Sequence, residues 1–291
     1  MDWSRDFPSW PLNDLSRRIR HRPHFWHVQE TGKGPTLLLL HGAGATTHTW
    51  RDLIRFFSKK FHVVVLDLPG HGFTRVGNRA RLGLETTAED IASLCKAEGW
   101  EPEALVGHSA GGAVALELSD LLAKSQSHTP RVVTINAALD RFEGIAGWLF
   151  PAFAKILALN PFVPMAFSLG GGTNIRARAS IQYSGSNLSK QGYGYYARLL
   201  NSHSHVDGTL QTMARWNTDA LYDRLPEIEN PCLLITGKKD KAVPPKVSDK
   251  AAQLLPNAKR LELDGVGHLA HEESPEVVSQ IVLDYCAKAA A

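Results

Sequence analysis

Three side-chain types that together can turn a hydroxyl into a nucleophile stand in this chain at the ends of apolar runs. Ser109 lies in Gly107-His108-Ser109-Ala110-Gly111, between the strand-like Ala104-Leu105-Val106 and the helix-forming Ala113-Val114-Ala115-Leu116-Glu117-Leu118. Glycines two before and two after a serine fit a strand-to-helix turn so tight that side chains there would meet neighbouring backbone. Asp240 follows Cys232-Leu233-Leu234-Ile235-Thr236 through Gly237-Lys238-Lys239, and His268 follows Arg260-Leu261-Glu262-Leu263 through Gly265-Val266-Gly267. An imidazole can take the serine proton at neutral pH and return it to a leaving group. A carboxylate on the other ring nitrogen fixes the tautomer and steadies the imidazolium.

The chemistry also needs donors for the oxyanion that forms when the serine attacks an acyl carbon. One is expected from the N–H of Ala110, the residue after the serine, and the other from Ala43, in the loop His41-Gly42-Ala43-Gly44. Other residues compete for parts of this site. His271 is a rival base, and Asp140 and Asp67 are rival acids, although Asp67-Leu68-Pro69-Gly70 also reads as a turn. His41 and His108 read as packing or supporting residues. His203 and His205 are two histidines without a third ligand nearby, so no metal is expected, and no cofactor either. Neither a Walker A sequence nor a GxGxxG after a strand occurs, so nucleotide-driven chemistry finds no support.

Elements that could present these groups follow in a regular order. Continuous apolar runs at 36–40, 61–66, 104–106, 131–136 and 232–236 read as strands buried on both faces of a parallel sheet. Alternation at 24–30 and the short run 260–263 add two more strands. Helices are expected near 49–58, 87–98, from the elbow to about 124, and near 245–255 and 275–287. Residues 1–23 read as an irregular leader that packs on the domain. Strand–helix alternation implies a mainly parallel, doubly wound sheet, with ligands bound beyond the strand carboxyl ends. The rhythm stops across 138–215, which reads as an inserted helical cap, leaving 1–137 and 216–291 as the core domain. Within the cap, Trp148, Phe153 and Tyr183 are candidate substrate-binding residues, although the aromatic residues there also suit the cap's own core.

Composition bounds the rest. The chain of 291 residues is 43% apolar and 21% charged, which permits a sizeable core. A net charge of +3 gives no reason to expect nucleic acid. Cys95, Cys232 and Cys286 are scattered and form no CxxC, so buried reduced thiols and a cytoplasmic protein are expected. No signal peptide and no run of eighteen apolar residues is evident. The segment 145–167 could form an interfacial hairpin on a membrane, but a cap helix is the simpler reading.

These motifs carry a resemblance. The order Ser, Asp, His, with His41-Gly42, Asp67-Leu68-Pro69-Gly70-His71-Gly72 and Gly267-His268, is similar to the α/β-hydrolase superfamily over nearly the whole chain. The resemblance implies an α/β-hydrolase fold with Ser109, Asp240 and His268 as catalytic residues. A serine at the elbow argues against haloalkane dehalogenases and epoxide hydrolases, which place an aspartate there. A narrower resemblance rests on Met1-Asp2-Trp3-Ser4-Arg5-Asp6, Ala158-Leu159-Asn160-Pro161-Phe162-Val163-Pro164, Tyr196-Ala197-Arg198-Leu199-Leu200 and His268-Leu269-Ala270-His271-Glu272-Glu273. Those stretches look like the BchO family, magnesium-chelatase accessory proteins of bacteriochlorophyll biosynthesis. The implied setting is photosynthetic tetrapyrrole metabolism. The expected substrate is a small apolar ester or a tetrapyrrole-like molecule, and magnesium-chelatase subunits are candidate partners. The alternative is a non-catalytic protein that binds a tetrapyrrole or a chelatase subunit.

Overall fold

The computed structural model describes residues 1–140 and 172–287. Eight strands form one sheet: β1 (Ser16–His21), β2 (His24–Thr31), β3 (Thr36–Leu40), β4 (His62–Leu66), β5 (Pro102–His108), β6 (Arg131–Ile135), β7 (Cys232–Gly237) and β8 (Ala258–Leu263). Their spatial order is β1-β2-β4-β3-β5-β6-β7-β8. β1 pairs antiparallel with β2, and β2 with β4; every other pair is parallel.

The continuous apolar runs have a direct physical cause. Side chains alternate across a sheet, so Leu37, Leu39, Val63, Val65 and Val106 enter one core layer, whereas Leu38, Leu40, Val64, Leu66 and Leu105 enter the other. Helices cover both layers. α1 (Leu84–Glu98), α2 (Ala110–Ala123) and α6 (Lys246–Leu254) pack on the second layer. Trp50, Leu53, Ile54 and Phe57, with α7 (Pro275–Ala287), close the first. The helix expected near 49–58 is instead a 3-10 turn, Thr47–Trp50, and a short helix, Ile54–Phe57. The Thr47 N–H at its start donates to the buried Asp67 at 2.8 Å.

The leader is more ordered than an irregular segment. Ser16–His21 is an edge strand in a hairpin with β2, in which only Ile19 is buried, opposite Trp26. Three arginines at the exposed positions conceal the alternation from an apolar count. Before it, Trp3 stacks on Phe7 with ring centroids 3.8 Å apart, and Trp10 meets Phe73 and Tyr195 edge-on at 5.7 Å each. The leader thereby packs on the domain, as expected.

Between β6 and β7, the described part of the insertion holds α3 (Thr173–Tyr183), α4 (Lys190–Leu200) and α5 (His203–Met213). Among its ties to the segments that follow the strands are side chains of α4 and α5. His205 accepts the Gly72 N–H on Nδ1 at 3.0 Å and donates from Nε2 to the Gly44 carbonyl at 3.2 Å. The Tyr196 hydroxyl donates to Glu272 at 2.6 Å.

Candidate active site

Ser109 occupies the junction of β5 and α2 with φ 51° and ψ −118°, a conformation that a residue with a side chain rarely adopts. The surrounding backbone keeps it there. Its N–H donates to Ile135 at 3.0 Å, and its carbonyl accepts from Gly112 at 2.9 Å and Ala138 at 3.1 Å. The glycines are needed by space. A Cβ on Gly107 would overlap the Gly111 carbonyl, and one on Gly111 would overlap the carbonyls of Leu40 and His41. A Cβ on Gly112 would stand 2.5 Å from that of Ala137.

Asp240 lies in the turn after β7 with its side chain fully buried. Its Oδ1 accepts the N–H groups of Ala242 and Val243, each at 2.8 Å. Its Oδ2 accepts from His268 Nδ1 at 2.7 Å. This bond puts a proton on Nδ1, so the neutral ring carries its lone pair on Nε2, the form a general base requires. His268 retains 13% side-chain exposure, so its ring is open to an incoming group.

The carbonyl of His268 is gripped from two sides, by Asn136 Nδ2 at 2.7 Å and His108 Nε2 at 2.9 Å. Asn136 also donates to the Gly267 carbonyl at 3.0 Å and accepts the Gly237 N–H on Oδ1 at 2.7 Å. One buried amide thus spans the strand end that leads to Asp240 and the loop that carries His268. Asn136 stands at φ 49°, a left-handed conformation that asparagine tolerates better than most residues. Sequence reasoning passed over it. The available signal was a polar residue closing the apolar run Val132-Val133-Thr134-Ile135.

Ala110 is the first residue of α2, directly after Ser109, and Ala43 lies in the loop that follows β3. Gly42 lies so close to the elbow that an added Cβ would stand 3.0 Å from that of Ser109 and 2.7 Å from His108 Nδ1. Among the described residues, the N–H groups of Ala43 and Ala110 have no backbone or side-chain acceptor.

The rival groups have other work. Asp140 faces Lys250 at 3.7 Å. Asp67 is fully buried and takes His27 Nδ1 at 2.7 Å, Phe73 N–H at 2.9 Å and Thr47 N–H at 2.8 Å. Burial opposes its ionisation, but the His27 ring and these donors outweigh that and hold the carboxyl well below the usual range. Asp67 is therefore a turn anchor. His271 is wholly buried, donates from Nε2 to Thr49 at 2.6 Å, and is pushed down to about 3 by burial, then by His268 and Arg51. His41 donates from Nδ1 to the Gly42 carbonyl and accepts the Leu68 N–H, so it shapes two loops. Among the described residues, no group of three or more metal-ligating side chains converges.

A model of the alpha/beta hydrolase fold matches residues 35–275. The chain belongs to that family. Among its relatives, the "Magnesium-chelatase 30 kDa subunit" of Rhodobacter capsulatus is 43% identical over 95% of this chain and 96% of its own length. The likeness to the BchO family read from the leader and the later motifs is thereby borne out. The "Pimeloyl-[acyl-carrier protein] methyl ester esterase" of Vibrio vulnificus is 26% identical, covering 90% of this chain and 98% of its own. A thermophilic esterase from Thermogutta terrifontis superposes with a TM-score of 0.74 at 22% identity, over 94% of this chain and 98% of that one. That likeness is one of fold.

The residues expected to contact substrate divide. Trp148 and Phe153 lie outside the described residues, as does the segment 145–167. Tyr183, expected among the substrate-binding residues, is 84% exposed. The buried side chains of α3 are Thr173, Ala177 and Ile181, four residues apart, and Tyr183 falls off that face. Tyr196, on α4, is turned inward. It shares the fully buried Glu272 carboxyl with Thr49 at 2.7 Å and Arg51 at 2.6 Å. Among the described residues, no helix is long and apolar enough to cross a membrane.

Proposed function

We propose that this hydrolase-fold chain is a serine hydrolase that cleaves an ester or similar acyl bond in an apolar molecule. His268 Nε2 takes the Ser109 proton as Oγ attacks the acyl carbon. The oxyanion is received by the N–H groups of Ala43 and Ala110, and the imidazolium is steadied by Asp240. The protonated Nε2 then gives its proton to the leaving alcohol. Water repeats the sequence on the acyl-enzyme, releases the acid and restores Ser109. The observation that carries this reading is the 2.7 Å contact between His268 Nδ1 and a buried Asp240, beside a serine held at φ 51°.

Residues 138–215 serve in this reading as a cap over the serine, supported by the contacts of Tyr196 and His205 with loops at the strand ends. The name of the Rhodobacter capsulatus relative supports a tetrapyrrole-related substrate in bacteriochlorophyll biosynthesis. A cytoplasmic setting fits the three free, buried cysteines. A fluorophosphonate probe tests the chemistry: folded wild-type protein is expected to label at Ser109 and the Ser109→Ala variant to remain unlabelled. Folded wild-type protein that does not label ends the proposal.

The same name favours a second reading, a non-catalytic accessory protein that binds a tetrapyrrole or a magnesium-chelatase subunit. Pigment synthesis in cells carrying only Ser109→Ala separates the two. Full synthesis supports the accessory role, and its loss with normal protein levels supports the hydrolase.

A further inference from the structure

Away from the serine, the β1–β2 hairpin and the loop after β4 enclose a cleft of about 350 Å³, walled by Trp3, Arg18, Arg20, Phe25, Phe73 and Arg75. β2 runs antiparallel to β4, so Phe25 lies beyond the carboxyl end of β4, at the same end of the sheet as Ser109. β4 and β3 stand between β2 and β5. Three strand spacings amount to about 14 Å, so this is a separate site.

Among the described residues, the arginines there lack the acidic partner that eight others have. Arg5, Arg17, Arg51, Arg55, Arg79, Arg81, Arg224 and Arg260 each face an acidic side chain. Arg18, Arg20 and Arg75 face none among the described residues, and the cleft has no acidic residue in its lining. Two of them lie over rings instead. The Arg18 guanidinium is 4.5 Å from the Trp3 centroid, and that of Arg20 is 5.5 Å from the Phe25 centroid. Phe25 is 49% exposed, although its backbone is clamped to Arg75 by bonds of 3.1 and 2.8 Å. Arginines on an edge strand discourage sheet-to-sheet pairing. That explains charge on β1, but not an exposed phenylalanine beside three arginines that line one cleft.

We propose that this cleft binds a small conjugated molecule bearing two or more carboxylates. A guanidinium offers paired donors that match a carboxylate, and its plane can stack on a conjugated ring. Phe25 supplies an apolar face for the body of the ligand, and Arg18, Arg20 and Arg75 take its acid groups. The volume is near the lower end of small-molecule sites. The site is independent of whether Ser109 is catalytic.

Naphthalene-1,4,5,8-tetracarboxylate is a suitable fluorescent probe, titrated into the whole protein at low and moderate salt. Saturable one-to-one binding is expected, weakened at least tenfold by R18A/R75A, weakened several-fold by F25A and falling with added salt. The charge-matched control K59A/K60A, on exposed lysines elsewhere, is expected to bind like wild type. An aliphatic tricarboxylate is expected to bind at least tenfold more weakly. Arg18 and Arg75 are exposed, so the variants should fold, and circular dichroism checks this. The proposal is overturned by three results: no saturable binding, equal binding by wild type and R18A/R75A, or equal weakening by K59A/K60A.

Discussion

Replacing Asp240 with asparagine is the sharpest test of the catalytic assignment, because the surroundings of the side chain dictate which way the amide must turn. Oδ1 of Asp240 accepts two backbone N–H groups at 2.8 Å, from Ala242 and Val243. An asparagine must keep its carbonyl oxygen there, since an NH2 group would face two donors. Its NH2 then takes the place of Oδ2, 2.7 Å from His268 Nδ1. Two N–H groups cannot face each other, so the imidazole must move its proton to Nε2. The hydrogen-bond count is preserved, and with it the fold, but Nε2 no longer has a lone pair for the Ser109 proton. A loss of about 10⁴ in kcat follows from such a tautomer change, or about 5.5 kcal/mol at 1.36 kcal/mol per decade. The assay is hydrolysis of a chromogenic short-chain acyl ester, beside thermal melts of both proteins. The reasoning is refuted if Asp240→Asn keeps a rate within a few-fold of wild type while Ser109→Ala is inactive. It is equally refuted if Asp140→Asn, and not Asp240→Asn, produces the loss.

Three further outcomes are expected. Gly107→Ala drives a Cβ into the backbone carbonyl of Gly111; a cost of about 3 kcal/mol should lower Tm by roughly 6–12 °C in a thermal melt. Asn136→Ala leaves the buried Gly237 N–H without its acceptor and removes one of two donors to the His268 carbonyl. Each unsatisfied group costs about 1–3 kcal/mol, and kcat should fall by more than KM changes, because the His268 and Asp240 loops lose their common tie. Stability should decline in acid. His205 and His271 are both depressed to about 3, with burial the largest cause, from an ordinary value of 6.5. The unfolded chain therefore takes up protons that the fold refuses as pH drops from about 6.5 toward 3. Their stabilisation is complete above that window and is lost at up to about 1.4 kcal/mol per pH unit for each histidine. Urea melts at pH 7 and pH 5 check this, and equal midpoints would contradict it.

Ser109, Asp240 and His268 were legible as candidates because each is announced by its neighbours: an apolar run, then glycine or a turn, then the reactive residue. The parallel sheet was legible for the same local reason, since strands that enter two core layers at once must be apolar at every position. The sequence by itself therefore determined the fold class, the elements and the strand ends where chemistry could sit. The pairing across the site came only from tertiary structure. Asp240 and not Asp140 meets His268, because two N–H groups of its own turn aim its free oxygen at the ring. Asn136 binds residues about 100 and 130 positions away, and no local pattern encodes a partner at that distance. Arg-rich β1 hid its alternation, because one buried isoleucine suffices for an edge strand. Tyr183 reads as a substrate contact by composition, but the helical phase of α3 turns it to solvent. Local pattern fixes which residues stand at the ends of strands. Which of them touch is decided by backbone hydrogen bonds and packing between segments that the chain keeps far apart.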